Sequence, residues 1–198
     1  MEPLLGIDTA LFYFFNGTIA NTLFDRIMPA LTNIVFLFST FTVLAIILFI
    51  FGNKKIRLAI IISILAVSTS DIICARILKP AFKRIRPSRS LENVHLLVKK
   101  GGKYGFPSNH AANVSAGMFV LSFFFRKYRY AFLAFALLVG FSRVYVGVHF
   151  PLDVLAGLCL GVLFAVFWIS VWTFIRNREE KKGHTFLSLL ENSTEKSG

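Results

Sequence analysis

Three short stretches of this chain hold the residue types that phosphoryl transfer needs. Lys79 precedes Arg86 and Pro87; Pro107, Ser108, Asn109 and His110 follow as a run; Ser142 and Arg143 lead to His149 and Asp153. A protein that moves a phosphoryl group has mainly to orient it and to neutralise charge on its equatorial oxygens. Arg86 and Arg143 can offer forked donors to two phosphate oxygens, and Lys79 a compact charge. The competing use of Lys79 and Arg86 is snorkelling toward lipid headgroups from a helix end.

Ser108 and Asn109 stand where an apolar segment opens, so a helix there would aim free backbone N–H groups and its positive end at an anion. Ser108 could equally serve as a plain N-cap, and both uses are compatible. His110 falls in the first turn, placed to give a proton to a departing oxygen. His149 and Asp153 are four residues apart, on one face if the turn is helical, and Pro151 suits a helix start. A carboxylate on one imidazole nitrogen fixes the tautomer and makes the other nitrogen the better nucleophile.

The elements that must position these residues are membrane-spanning helices. The 198 residues are 56% hydrophobic with a mean hydropathy of +0.68, far more apolar than a soluble domain of this length. The apolar residues run in blocks, from Asn33 to Phe51, Ile56 to Leu78, Ala111 to Phe125, Tyr130 to Val146 and Leu152 to Ile175. About 20 such residues cross ~30 Å of hydrocarbon. The third and fourth blocks reach that length only with their polar ends in the interfaces. No block shows the period-two alternation of a β-barrel. The expected fold is an all-α integral membrane bundle of about five transmembrane helices, preceded by short N-terminal interfacial helices.

Those interfacial pieces are expected from Asp8 to Phe15, with Asp8 as N-cap, and from Asn21 until an interruption near Pro29. Residues 1–176 then form one domain, with 1–32 as lead-in and 33–176 as the spanning bundle; 177–198 form a polar cytoplasmic tail carrying Phe186, Leu187, Leu189 and Leu190. Cys74 and Cys159 both fall in apolar blocks, where a free cysteine behaves as a small buried hydrophobe. No disulfide or metal framework is expected. Gly157 and Gly161 suit a close helix–helix contact inside the bundle. Asp71 and Arg76 are expected to serve structure, while Asn113 either shares the helical face of His110 or bonds across helices.

An alternating five-helix path returns all three stretches to one face. The short basic junctions at Lys54, Lys55 and Arg57 and at Arg126, Lys127 and Arg129, with the start of the tail, lie on the other face. The positive-inside rule makes that face cytoplasmic, although eleven of the 22 Lys and Arg lie on the motif side. The loop from Ser88 to Tyr104 carries Arg89, Lys99, Lys100 and Lys103 and is the natural headgroup region, or else a solvated basic loop near anionic lipid.

Lys-x6-Arg-Pro, then Pro-Ser-Asn-His, then Ser-Arg-x5-His-x3-Asp resembles the type 2 phosphatidic acid phosphatase superfamily over about Ile56 to Gly161. The one departure is Asn109, where the family has Gly. The resemblance implies catalysis by His149, His110 and Asp153: His149 attacks phosphorus, Asp153 orients it, and His110 protonates the leaving group. Lys79, Arg86, Ser108, Arg143 and the amide of Asn109 would bind the substrate phosphate, with no metal or cofactor. The partner implied is a membrane lipid phosphate and not nucleic acid. The resemblance points to bacterial inner-membrane enzymes with the site on the periplasmic side. Lipid A 1-phosphatase activity comes first, then undecaprenyl diphosphate, phosphatidylglycerophosphate or phosphatidate as substrate. Phosphotransfer to a second lipid is an alternative, as is a non-catalytic lipid-binding or transport role.

Overall fold

A computed structural model describes residues 2–182. Most of the expected tail, including Phe186, Leu187, Leu189 and Leu190, lies outside the described residues. Within them the chain is mostly helical, as the block pattern leads one to expect. An isolated bridge between Ile85 and Tyr104 is the β-pairing seen among the described residues.

Helix α1 (Glu2–Tyr13) continues into a π-helical turn, Phe14–Thr18, and α2 spans Thr22–Leu31. Next come α3 (Ile34–Phe51) and α4 (Lys54–Ile72). A π-helical turn, Ile73–Leu78, carries α4 into α5 (Lys79–Phe82), and α6 (Pro87–Ser90) follows. The bundle is completed by α7 (Asn109–Phe124), α8 (Arg129–Tyr145) and α9 (Pro151–Lys181). Asparagines start three of these helices: the side chains of Asn21, Asn33 and Asn53 accept backbone N–H groups in the first turns of α2, α3 and α4. Three helical segments are long and apolar enough to cross a membrane: Ile34–Phe51, Lys54–Phe82 and Pro151–Lys181. At 16 and 17 residues, α7 and α8 reach only about 24–26 Å.

Helix α7 is central, packed against α4, α8 and α9. Its contact with α9 is close because both surfaces are small. A Cβ at Gly157 would lie 2.5 Å from the Ser108 carbonyl and 3.1 Å from the Ala111 Cβ; one at Gly161 would lie 2.8 Å from both Ala116 N and Ser115 Cβ. The glycine pair is therefore an internal seam, as expected. Ser115 Oγ donates to the Leu158 carbonyl across it at 2.8 Å. Far from the motifs, Ile62, Ala66, Val120, Ala165 and Ile169 close the core. Helix α3 stands at the margin, held mainly by α4.

Four expectations are corrected. Asp8 is no N-cap: α1 begins at Glu2, which leaves Asp8 inside the helix and only 1% exposed. Pro29 sits inside α2 and forfeits the bond to the Asp25 carbonyl, but the helix still runs to Leu31. Cys159 is exposed on the outer face of α9, whereas Cys74 is buried. Helix α9 passes the expected end at Ile175 and continues to Lys181, so the start of the tail is helical. The N-terminal segment also does more than lie along an interface. Phe12 is fully buried against Phe150, and Asn16 is 1% exposed.

Candidate active site

All three motif stretches meet at one end of the bundle. The N-termini of α7 and α9 are joined by a hydrogen bond from Ser108 N to the Asp153 carbonyl, 2.9 Å. Ser108 caps α7, its side chain accepting from Ala111 N. Lys79, at the end of the long α4–α5 segment, donates from Nζ to the Pro107 carbonyl at 2.8 Å and the Gly105 carbonyl at 3.2 Å. Lys79 thus holds the loop that delivers Ser108 and does not snorkel away.

His149 lies in the turn between α8 and α9, 1% exposed. That turn is tight: Val148 N and His149 N both donate to the Arg143 carbonyl. Gly147, at φ +85°, supplies a backbone conformation that side chains resist. Asp153 is fully buried in the first turn of α9, with Oδ2 3.3 Å from His149 Nδ1 and accepting from Phe150 N at 3.1 Å. Arg86 Nη1 stands 2.7 Å from His149 Nε2. A guanidinium only donates, so Nε2 must be the accepting, unprotonated nitrogen and Nδ1–H must point at Asp153. Burial, followed by the charges of Arg86, Arg143 and Lys79, holds the His149 imidazole well below its usual 6.5 and therefore neutral.

Arg86 also donates from Nη1 to the Val148 carbonyl at 3.1 Å, and Arg143 donates to Thr32, the C-cap of α2. Each keeps a buried Nε without a partner. Two unsatisfied guanidinium donors and the first N–H groups of α7, which the Ser108 cap does not cover, are suited to an anion. His110 is partly buried in the first turn of α7, within electrostatic reach of Arg143, Arg86 and Lys79.

Asn109 is the site residue whose side chain turns elsewhere. Its amide donates to Asp71 Oδ1 at 2.9 Å, and Asn113 donates to the same oxygen at 2.8 Å. Asp71 is thus paired structurally, as expected, and the Asn109 side chain leaves its own backbone N–H uncovered.

Sequence reasoning missed Arg84, which bonds Asp153 Oδ1 at 2.7 Å and Asp8 Oδ2 at 2.5 Å. It was hidden in the spacer between Lys79 and Arg86; the available signal was Asp8, a carboxylate in an apolar segment that needed a cation. The loop over the site is also anchored more firmly than its composition suggests. His95 Nε2 is 3.0 Å from Asp25 Oδ1, which accepts from Tyr145 OH at 2.7 Å, and Asn16 bonds both N–H and C=O of His95. The bond from Tyr145, then that from His95, holds the Asp25 carboxyl below its ordinary range. Lys99, Lys100 and Lys103 remain exposed on that loop.

A buried neutral imidazole backed by a carboxylate, with three cations around it at a membrane-protein helix end, defines a phosphate-handling membrane enzyme. A model of the PAP2 superfamily matches residues 57–177. The chain belongs to that family and is a lipid phosphatase, a hydrolase of phosphate esters. It is 32% identical to a lipid A 4′-phosphatase of Bacteroides thetaiotaomicron, covering 81% of this chain and 75% of that one. It is 30% identical to a lipid A 4′-phosphatase of Porphyromonas gingivalis, covering 90% and 78%. The structure of Aquifex aeolicus LpxE superposes with a TM-score of 0.67 at 28% identity, over 83% of this chain and 95% of that one. With these bacterial relatives and its membrane-long helices, the chain is a bacterial membrane protein.

Proposed function

We propose that this enzyme removes a phosphate from lipid A through a phosphohistidine on His149. The observation that carries the reading is a pair of distances, 3.3 Å from His149 Nδ1 to Asp153 Oδ2 and 2.7 Å from Nε2 to Arg86 Nη1, together with the buried Nε donors of Arg86 and Arg143 that an anion would satisfy. In the proposed reaction Nε2 attacks phosphorus as the ester P–O bond breaks, and His110 gives its proton to the departing oxygen. Lys79, Arg86, Arg143, Ser108 and the amide of Asn109 hold the equatorial oxygens. Water then attacks the phosphohistidine, His110 takes the proton of that water, and phosphate leaves with His149 restored. The dianionic phosphate would balance the charges of Arg143, Arg86 and Lys79 around His110.

The 4′-phosphate is placed ahead of the 1-phosphate because relatives aligned over 81% and 90% of this chain carry that name. The exposed lysines beside the site suit so anionic a substrate. Residues 1–176 act as one domain, with α7 and α8 spanning by immersing their polar ends, which makes five crossings. The basic ends face the cytoplasm and the site faces the periplasm of the inner membrane.

The test offers purified protein bisphosphorylated lipid A, undecaprenyl diphosphate and phosphatidylglycerophosphate side by side, without added metal, and follows free phosphate and product mass. Loss of the 4′-phosphate is expected. Turnover confined to either of the other lipids overturns the substrate, and no release from any of them favours a non-catalytic role. His110→Ala is expected to lower kcat roughly 10²- to 10⁴-fold; an unchanged kcat removes His110 as the acid.

A further inference from the structure

We propose that Arg84 and Asp8 form a brace that positions Asp153 against His149, which makes helix α1 part of the catalytic apparatus. The proposal rests on reading His149 as the nucleophile. Asp8 and Asp153 are 1% and 0% exposed, and buried carboxylates need a compensating charge and full hydrogen bonding. Arg84 lies between them: Nη1 bonds Asp153 Oδ1 at 2.7 Å and Nη2 bonds Asp8 Oδ2 at 2.5 Å. Its guanidinium rests over the Phe150 ring, 4.3 Å from the centroid, which holds the fork in plane. The remaining oxygens are occupied too. Asp8 Oδ1 accepts from Leu152 N at 2.8 Å, and Asp153 Oδ2 is left for Phe150 N and His149 Nδ1.

Charge explains why the second carboxylate is there. Arg84 alone would neutralise Asp153 and cancel its field at the imidazole. Asp8 offsets Arg84, and the three groups together keep one negative charge behind Nδ1. The groups on the other side of His149 are Arg86, Arg143, Lys79 and His110, so this charge is the counterweight that supports positive character on the ring as Nε2 bonds phosphorus. Helix α1 lies outside the family match at residues 57–177. The brace therefore couples a segment beyond the family core to the reacting nitrogen.

The experiment measures kcat, KM and the pH–rate profile of the full-length protein on lipid A in detergent for Asp8→Asn, Arg84→Gln and Arg84→Lys. Asp8→Asn removes a negative charge behind His149, which makes protonation harder, so the acid limb moves to lower pH. Arg84→Gln removes a positive charge and moves it to higher pH. Both variants lose kcat by roughly 10- to 100-fold with KM little changed. Arg84→Lys keeps the charge but not the fork, so the limb stays in place while kcat falls. Should Arg84→Gln not fold, the shift in Asp8→Asn and its absence in Arg84→Lys carry the same test. Limbs that stay fixed, limbs that move the same way, or a loss confined to KM overturn the brace. His149→Ala is run alongside: activity in that variant removes the nucleophile itself, whereas an inactive His149→Ala with unaltered Arg84 and Asp8 variants removes only the brace.

Discussion

Phosphate release falls to background, by roughly 10⁶-fold, when His149 is replaced by alanine. The size follows from the site having no substitute nucleophile placed like Nε2. His110, the other imidazole within electrostatic reach, sits on the opposing α7 end among the same three cations. The variant should still fold, because the turn that carries His149 is held by backbone bonds from Val148 N and His149 N to the Arg143 carbonyl. It should also still bind substrate, since Lys79, Arg86 and Arg143 keep their positions. Brief incubation with phosphate-labelled lipid, followed by alkaline quenching, should leave acid-labile label on the unaltered protein and none on the variant. Turnover retained at more than a trace would dismiss covalent catalysis by this residue.

The second large effect belongs to Asp153→Asn, expected to lower kcat about 10⁴-fold while KM changes little. The amide preserves shape but can present N–H to Nδ1, which drives the ring proton onto Nε2. That proton would then meet the donor Arg86 Nη1, 2.7 Å away, and the lone pair needed for attack would be gone. Arg84 and Asp8 would then cancel each other, and the net negative charge behind Nδ1 would be gone. Kinetics on a purified, helical variant decide the matter; a kcat close to the unaltered value would show that the tautomer is set by something other than Asp153.

Much of this site was legible because a membrane segment gives polar residues few reasons to be present. Lys79, Ser108, His110, Arg143, His149 and Asp153 interrupt or border apolar blocks, and block counting alone returned them to one end of the bundle. The hydrogen bonds between Lys79 and Pro107 and between Ser108 and Asp153 bear out that geometry. Arg84 and Asp8 were illegible for the opposite reason. Their bond spans 76 residues with no local signature, and aspartate early in a helix is so common as an N-cap that the buried alternative was not sought. Asn109 departs from the family pattern at the phosphate site, and its side chain serves Asp71 on α4. The lengths of α7 and α8 were read correctly as short, but the reach of α9 to Lys181 was not, because Arg176, Arg178 and Glu179 look like the end of a span and helices do not stop at charge alone.

The seam between α7 and α9 bears on how the enzyme meets membranes of different thickness. In the proposed five-crossing bundle, α7 and α8 are only about 24–26 Å long, so a thicker bilayer would thin locally or let helices tilt. The backbone bond from Ser108 to Asp153 and the glycine contacts below it hold the two helix ends as one block. Tilting then carries the Ser108 turn and His149 together, and the distance between them is insulated from the elastic state of the surrounding lipid.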